Sequence, residues 1–548
     1  MLDWLTPQSQ KTDHPMYCIE EAERLLTGLS DEPLKALEEV ASWLTTLTQA
    51  AGFQLGTRLA VMRMVDESGQ PFEPALVSLY LTQRALTEFE RQQLWQAALH
   101  FWECLERAYR LCLEEMQRAP KLLRAHAADL PLLFVRTIRA LACQARLLNL
   151  RYMPLREPLR QALFDLYQLS EQMGCDDQRV TAYPGESMPT TPREELLRVA
   201  LLDIARPDSM LPQQIDIAAC VAARYANACL FDRKPRAGCN WMIDLALPRP
   251  PELATGASGL HLTARFFGAG AVTVKIREVT RRLAADSHAK EQRFGVEYSS
   301  QEKLVVLERL ARYWGEQPPY RYEKRRAAAG DMGTIPGFAN ACRQIPRVLY
   351  RDWGELVIGL DLKLRERLGI IADPAAMPVA EKWQQRDAST WGLSAAVARE
   401  SEPGVRIGML CSVKMDDKPW WVGVVRRLFR DDEEHSLAGI EVLAKKPATV
   451  LLRRVGHGGM SMQDFSKVSD ASGNDYINAL LLGASMAEHK RHELLTARGE
   501  FIAGIVYEAM IGDGKQHFRF EELLEQGEDF DRVRFTRISG KTKDAAAA

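Results

Sequence analysis

The hydrophobic period changes partway along this chain. Up to about residue 318 apolar residues mostly recur every three to four positions, as on the buried faces of helices. Beyond it they alternate, as on strands. At 548 residues the chain exceeds what a single core holds. The pattern predicts a multidomain α + β protein. An all-α N-terminal bundle or solenoid-like region comes first, then an antiparallel β meander or small barrel, then a small C-terminal β-containing module.

In the first half, Ser30 is positioned to cap a helix with Pro33 in its first turn. Thr87 to Met116 carries a long stripe that includes Leu94, Trp95, Trp102, Leu105 and Tyr109. Further helices are predicted at about 121–150, 157–173, from Pro192, and over 211–230. Aromatic stripes at this spacing read as core. No repeat of fixed period is present. From Gly238 the pattern turns mixed, and Ser299 with Glu302 forms a capping-box pattern before another helix. The resulting domain expectation is a tail over 1–16, a helical domain over 17–237 and a mixed connecting region over 238–318. A barrel over 319–455, a β-containing module over 456–540 and a tail over 541–548 follow.

Composition narrows the function classes. Lys plus Arg number 71 and Asp plus Glu 73, a net charge of -2. That balance gives no bulk attraction to nucleic acid or anionic membrane, and neither a nucleic-acid partner nor membrane insertion is expected. No apolar run approaches the ~20 residues needed to span a bilayer. The first fifteen residues lack a signal-peptide pattern, and a cytoplasmic protein is expected. The ten cysteines contain no C-x-x-C pair and read as buried free thiols.

A scan for catalysis finds no constellation. The "GAG" at Gly268–Gly270 lacks the third glycine of a dinucleotide fingerprint and a clear strand-to-helix setting. The "GHGG" from Gly456 has no accompanying nucleophile elbow. His489 and His492 are spaced for one helix face, but no third metal ligand is nearby. No catalytic residue, metal or cofactor is expected, and the protein reads as non-enzymatic.

One stretch carries more. In "RDASTWGLS" (386–394), Asp387, Ser389 and Gly392 fit the pattern [D/N]-x-S-x-x-G, just before a series of strands with short turns: "VRIGMLCSVKM", "PWWVGVVRRLFR", "HSLAGIEVL" and "ATVLLRRV". Upstream, "RYEKRR" supplies Arg321 and Arg325 as R-x-x-x-R, with Arg326 adjacent. Arg343/Arg347 and Arg347/Arg351 also fit that spacing. Together these signatures resemble the PilZ domain, over about Pro318 to Val455. Sixty-two positions separate Arg325 from Asp387, more than is usual in that family, and the interval reads as an inserted helix and loop.

The resemblance implies a six-stranded barrel that binds cyclic di-GMP through Arg321, Arg325, Arg326, Asp387, Ser389 and Gly392. Guanidinium groups fork onto phosphate or guanine O6 and N7. Asp387 would accept from guanine N1 and N2, Ser389 would add a hydroxyl there, and Gly392 would allow positive φ or close backbone approach. The implied function is a cyclic di-GMP receptor that signals to a protein partner through its helical region. The alternative is an adaptor whose PilZ-like barrel binds no nucleotide.

Overall fold

The computed structural model describes residues 12–254, 262–285, 294, 298–319, 326–348, 365–366, 368, 378–415, 418–431, 435–455, 476–483, 492–511 and 514–538. The chain forms two compact units, 1–320 and 321–548. It is a multidomain α + β protein, with helices in the first unit and two closed six-stranded barrels in the second.

The first unit begins with α1 (Ile19–Leu26), α2 (Pro33–Gln49), α3 (Leu55–Gly69), α4 (Phe72–Thr82), α5 (Glu88–Arg118) and α6 (Pro120–Ala125). It continues with α7 (Leu130–Asn149), α8 (Glu157–Gln172), α9 (Pro192–Ile204) and α10 (Pro212–Tyr225). The α5 start carries the capping box Thr87–Glu90. The α2 cap falls on Glu32 rather than Ser30, whose hydroxyl instead accepts the Glu32 N–H at 3.2 Å. The stretch expected as one helix over 121–150 is two. Pro131 lacks an N–H and disfavours helix in the residue before it, so α7 starts afresh there. The helix expected to reach 230 ends at Tyr225, and Leu230–Asp232 is a strand.

The region expected to be a separate connector, 238–318, is part of this unit. The strands β1 (Leu230–Asp232), β2 (Trp241–Asp244), β3 (Glu252–Leu253) and β4 (Ala264–Gly268) form one antiparallel sheet in the order β1-β4-β2-β3. Then come α11 (Gly270–Ala285) and α12 (Ser300–Tyr313), the latter with the Ser299–Glu302 capping box. Phe267, Ile276, Leu307 and Trp314 join the same core as Leu44, Phe101 and Leu141. "GAG" therefore does stand between a strand and a helix. Its sheet is antiparallel, and Gly268 has a packing reason to be glycine: a Cβ there would sit 1.7 Å from the Gly238 carbonyl oxygen.

One face of α7 places three arginines in this core. Arg136 reaches Asp66 at 3.1 Å and Glu67 at 2.5 Å; Arg139 binds Glu195 and Glu186; Arg146 binds Glu73. Three cations on one helix face could suggest an anion site, but each is matched by carboxylate. Asp66 is fully buried, also accepts from the Tyr109 hydroxyl at 2.7 Å, and burial pushes its carboxyl up to about 6 despite Arg136. A carboxyl raised in the folded state stabilises below its unfolded value and loses that contribution as pH rises through the folded value. Stability should therefore fall from pH 5 to pH 7, by up to about 1.4 kcal/mol per pH unit for this one proton. Thermal melts across that window should show the slope in the wild type and a flatter one in Asp66→Asn; equal slopes would refute it.

The second unit opens with β5 (Arg326–Pro336), followed by α13 (Phe338–Gln344), β6 (Glu381–Ala388), β7 (Gly392–Ala396), β8 (Leu410–Met415), β9 (Trp421–Arg430) and β10 (Ser436–Ala444). These strands close in the order β10-β7-β6-β5-β8-β9. The alternation read in "VRIGMLCSVKM" holds for β8, but nearly every residue of that strand is buried, because its outer face is covered as well. The inserted segment expected between β5 and β6 lies almost wholly outside the described residues.

"ATVLLRRV" is not a strand of this barrel. It is β11 (Ala448–Arg454), and it opens a second barrel with β12 (Tyr476–Leu481), β13 (His492–Ala497), β14 (Val506–Ile511), β15 (Gly514–Gln526) and β16 (Phe530–Ile538), closed as β11-β12-β13-β16-β15-β14. The two barrels are not separated at residue 455. Phe338, Ile345, Leu410, Val424, Leu480, Leu495 and Phe530 form one shared cluster around α13. Asp529 accepts the backbone N–H groups of Phe338 and Leu410. His492 starts a strand opposite Phe535, so the helical reading of the His489/His492 pair does not hold for it. His489 and "GHGG" lie outside the described residues. No helix among the described residues is long and apolar enough to cross a membrane.

Candidate functional site

The D-x-S-x-x-G stretch forms the β6–β7 hairpin at one end of the first barrel. Asp387 is near the end of β6, Ser389 opens the loop, and Gly392 begins β7. The Ser389 N–H donates to the Gly392 carbonyl at 2.7 Å and closes the turn. Asp387 and Ser389 are half-buried, whereas Thr390 and Trp391 project outward. Gly392 does not have positive φ. Positive φ is therefore not the reason for glycine there, and it lies opposite Glu441 of β10.

The register brings one of the upstream arginines to this hairpin. Arg326 is the first residue of β5 and pairs with Ala388, while Ala327 pairs with Asp387. Ala388 lies between Asp387 and Ser389, so an exposed guanidinium starts beside the turn. The β5–β6 ladder shifts register between Ala327 and Gly330, and the β6–β7 ladder between Gln385 and Asp387. Bulges of this kind re-aim side chains and are common beside binding sites. Arg321 and Arg325 lie outside the described residues. Arg343 and Arg347 follow β5, in and just after α13, beside the second barrel rather than at the β6–β7 turn.

Two groups at the site carried no signal in the motif. Trp391 is 53% exposed, and Lys445, just past β10, holds its ammonium 5.0 Å from both the Trp391 and Trp421 ring centres. Trp391 is thus an open ring capped by a cation. The clue was long-range. Only the β10–β7 pairing, which closes the barrel, brings position 445 to position 391.

The rim thus offers a carboxylate, a hydroxyl, an indole face and the cations Arg326 and Lys445. That set can bind a planar, donor-bearing base and its anionic phosphate. Among the described residues no group of three or more His, Cys, Asp or Glu could hold a metal. The cysteines are free, and burial pushes Cys112, Cys143, Cys220 and Cys411 up to about 12, far from thiolate reactivity.

Residues 20–236 match a family model described as "Cyclic-di-GMP receptor FimW, N-terminal domain". The match covers the helical region and stops short of both barrels. No curated protein and no solved structure matches the chain.

Proposed function

We propose that this protein is a non-enzymatic, cytoplasmic cyclic di-GMP receptor. Its first barrel acts as a PilZ-type domain and binds the ligand at the β6–β7 turn. Arg321, Arg325 and Arg326 engage phosphate and guanine, and Asp387, Ser389 and Gly392 hold the guanine edge. The observation that carries this reading is the register of Arg326 against Ala388, which sets the end of the arginine segment beside the D-x-S turn. The match of the helical region to a cyclic-di-GMP receptor domain supports the same ligand from a different part of the chain.

Binding is relayed to a protein partner through the helical region. Calorimetric titration with cyclic di-GMP tests the receptor reading, with micromolar affinity (about -8 kcal/mol) expected. Absence of heat at saturating ligand would favour the adaptor alternative. Hydrogen exchange tests the relay: protection should rise over 386–392 and at a surface within 17–237. Protection confined to the barrel would leave binding in place and remove the relay.

A further inference from the structure

We infer that Trp391 and Lys445 extend the site at the β6–β7 turn, the indole as a stacking surface for a guanine and the ammonium as the donor that selects guanine over adenine. The inference rests on the reading of the first barrel as a cyclic di-GMP receptor and adds to it how the base is chosen.

Trp391 lies in the same turn as Asp387 and Ser389, and its ring is open to solvent, whereas Trp314 and Trp383 are fully buried. A ring left in water contributes little to folding, but its face can take a stacked base. Its backbone is pinned. The Trp391 carbonyl accepts the Val442 N–H at 3.0 Å, and the next residue, Gly392, pairs with Glu441 of β10. The indole is therefore presented by the start of a strand rather than by a free loop. Stacking alone does not choose a base, because every base has a π face.

The choice lies with Lys445. Its ammonium stands 5.0 Å from the ring centres of both Trp391 and Trp421, and it makes no ion pair among the described residues. The carboxylate that β10 places opposite the turn, Glu441, is taken by Arg426 at 2.6 Å. Held against rings rather than against an acid, the ammonium keeps its donors for an incoming acceptor. Along its edge guanine presents the donors N2 and N1, then the acceptors O6 and N7. With Asp387 accepting from N1 and N2, the next group is O6, an acceptor for Lys445. Adenine reverses the two positions: the carboxylate would meet the acceptor N1, and the ammonium the donor N6. An acceptor-only and a donor-only group at one turn thus match guanine and oppose adenine.

Calorimetric titration of the full chain with cyclic di-GMP, followed by displacement with cyclic di-AMP up to millimolar concentration, tests this. Trp391→Leu and Lys445→Met should each weaken cyclic di-GMP binding about tenfold (about 1.4 kcal/mol). Cyclic di-AMP should displace cyclic di-GMP from Lys445→Met at lower concentration than from the wild type, because the opposing donor is gone. Lys445→Arg, which keeps a donor, should retain the wild-type preference. Both side chains reach solvent, so the variants should fold, and thermal melts check that they do. Wild-type affinity in Trp391→Leu or Lys445→Met, or an unchanged preference in Lys445→Met, would overturn the inference. If Asp387→Ala loses cyclic di-GMP while Trp391→Leu and Lys445→Met keep it, the receptor reading stands and this one falls. If the wild type binds no cyclic di-GMP, both fall.

Discussion

Asp387→Ala and Arg325→Ala should each weaken cyclic di-GMP binding at least tenfold, about 1.4 kcal/mol. The expectation follows from the cost of leaving a charged hydrogen bond unmade, about 1.5 to 3 kcal/mol net. Asp387 is the acceptor proposed for the guanine N1 and N2 donors, and it is held in a strand end between two ladders, opposite Ala327 and Ser394. A side chain placed by two strands loses little entropy on binding, so its removal should appear nearly in full. Arg321→Ala should also abolish binding, whereas Arg343→Ala should spare it. Arg343 is on α13, after β5 has already passed the hairpin. Titrations in folded variants decide the matter. Wild-type affinity in both Asp387→Ala and Arg325→Ala would remove the site, and loss of binding in Arg343→Ala with retention in Arg321→Ala would move it.

The features that could be read in the sequence are the local ones. The capping boxes at Thr87 and Ser299 depend on two side chains three residues apart, and both are present. The strands β8, β9 and β10 announce themselves by β-branched and aromatic residues bounded by polar turns. The barrel to which each strand belongs is a different kind of fact. β10 and β11 are separated by only three residues, yet they belong to different barrels. Neither hydropathy nor turn chemistry marks that change of sheet, because the pairings that define it, β10 with β7 and β11 with β14, are long-range.

The second barrel was hard to see for another reason. β15 contains "EELLEQ", which has the composition of a helix. It is a strand because Glu522 and Glu525 pair across the ladder with Arg534 and Arg532 of β16, and cross-strand opposite charges support such a surface. At the candidate site the motif located Asp387, Ser389 and Gly392. It could not show that Arg326 stands opposite Ala388, nor that Lys445 caps Trp391. Those juxtapositions are properties of the register, which one sequence does not display.

Glu195→Ala should be among the most destabilising single substitutions in the helical region, costing about 3–5 kcal/mol. Glu195 is fully buried. Its carboxylate takes two bonds from Arg139, at 2.8 and 3.2 Å, another from the Thr190 hydroxyl at 2.8 Å, and lies 3.0 Å from Arg198. Burial alone would raise its pKa, but Arg139 and Arg198 outweigh it and hold the carboxyl below its ordinary value. Its contribution is therefore present above the unfolded value and lost as pH falls through the folded one, opposite in sign to Asp66. Truncation removes the anion and leaves the buried Arg139 guanidinium and the partly exposed Arg198 guanidinium without the carboxylate between them. Arg139 retains Glu186, so Arg139→Ala, which removes a cation while Arg198 still serves Glu195, should cost less than Glu195→Ala. The double variant should cost less than the sum of the two, because removing Arg139 also removes the repulsion with Arg198 that Glu195→Ala exposes. Urea denaturation followed by helical circular dichroism measures all three. A cost under about 1 kcal/mol for Glu195→Ala, or strict additivity in the double variant, would show that the cluster behaves as a solvated surface pair rather than as a buried element of the helical core.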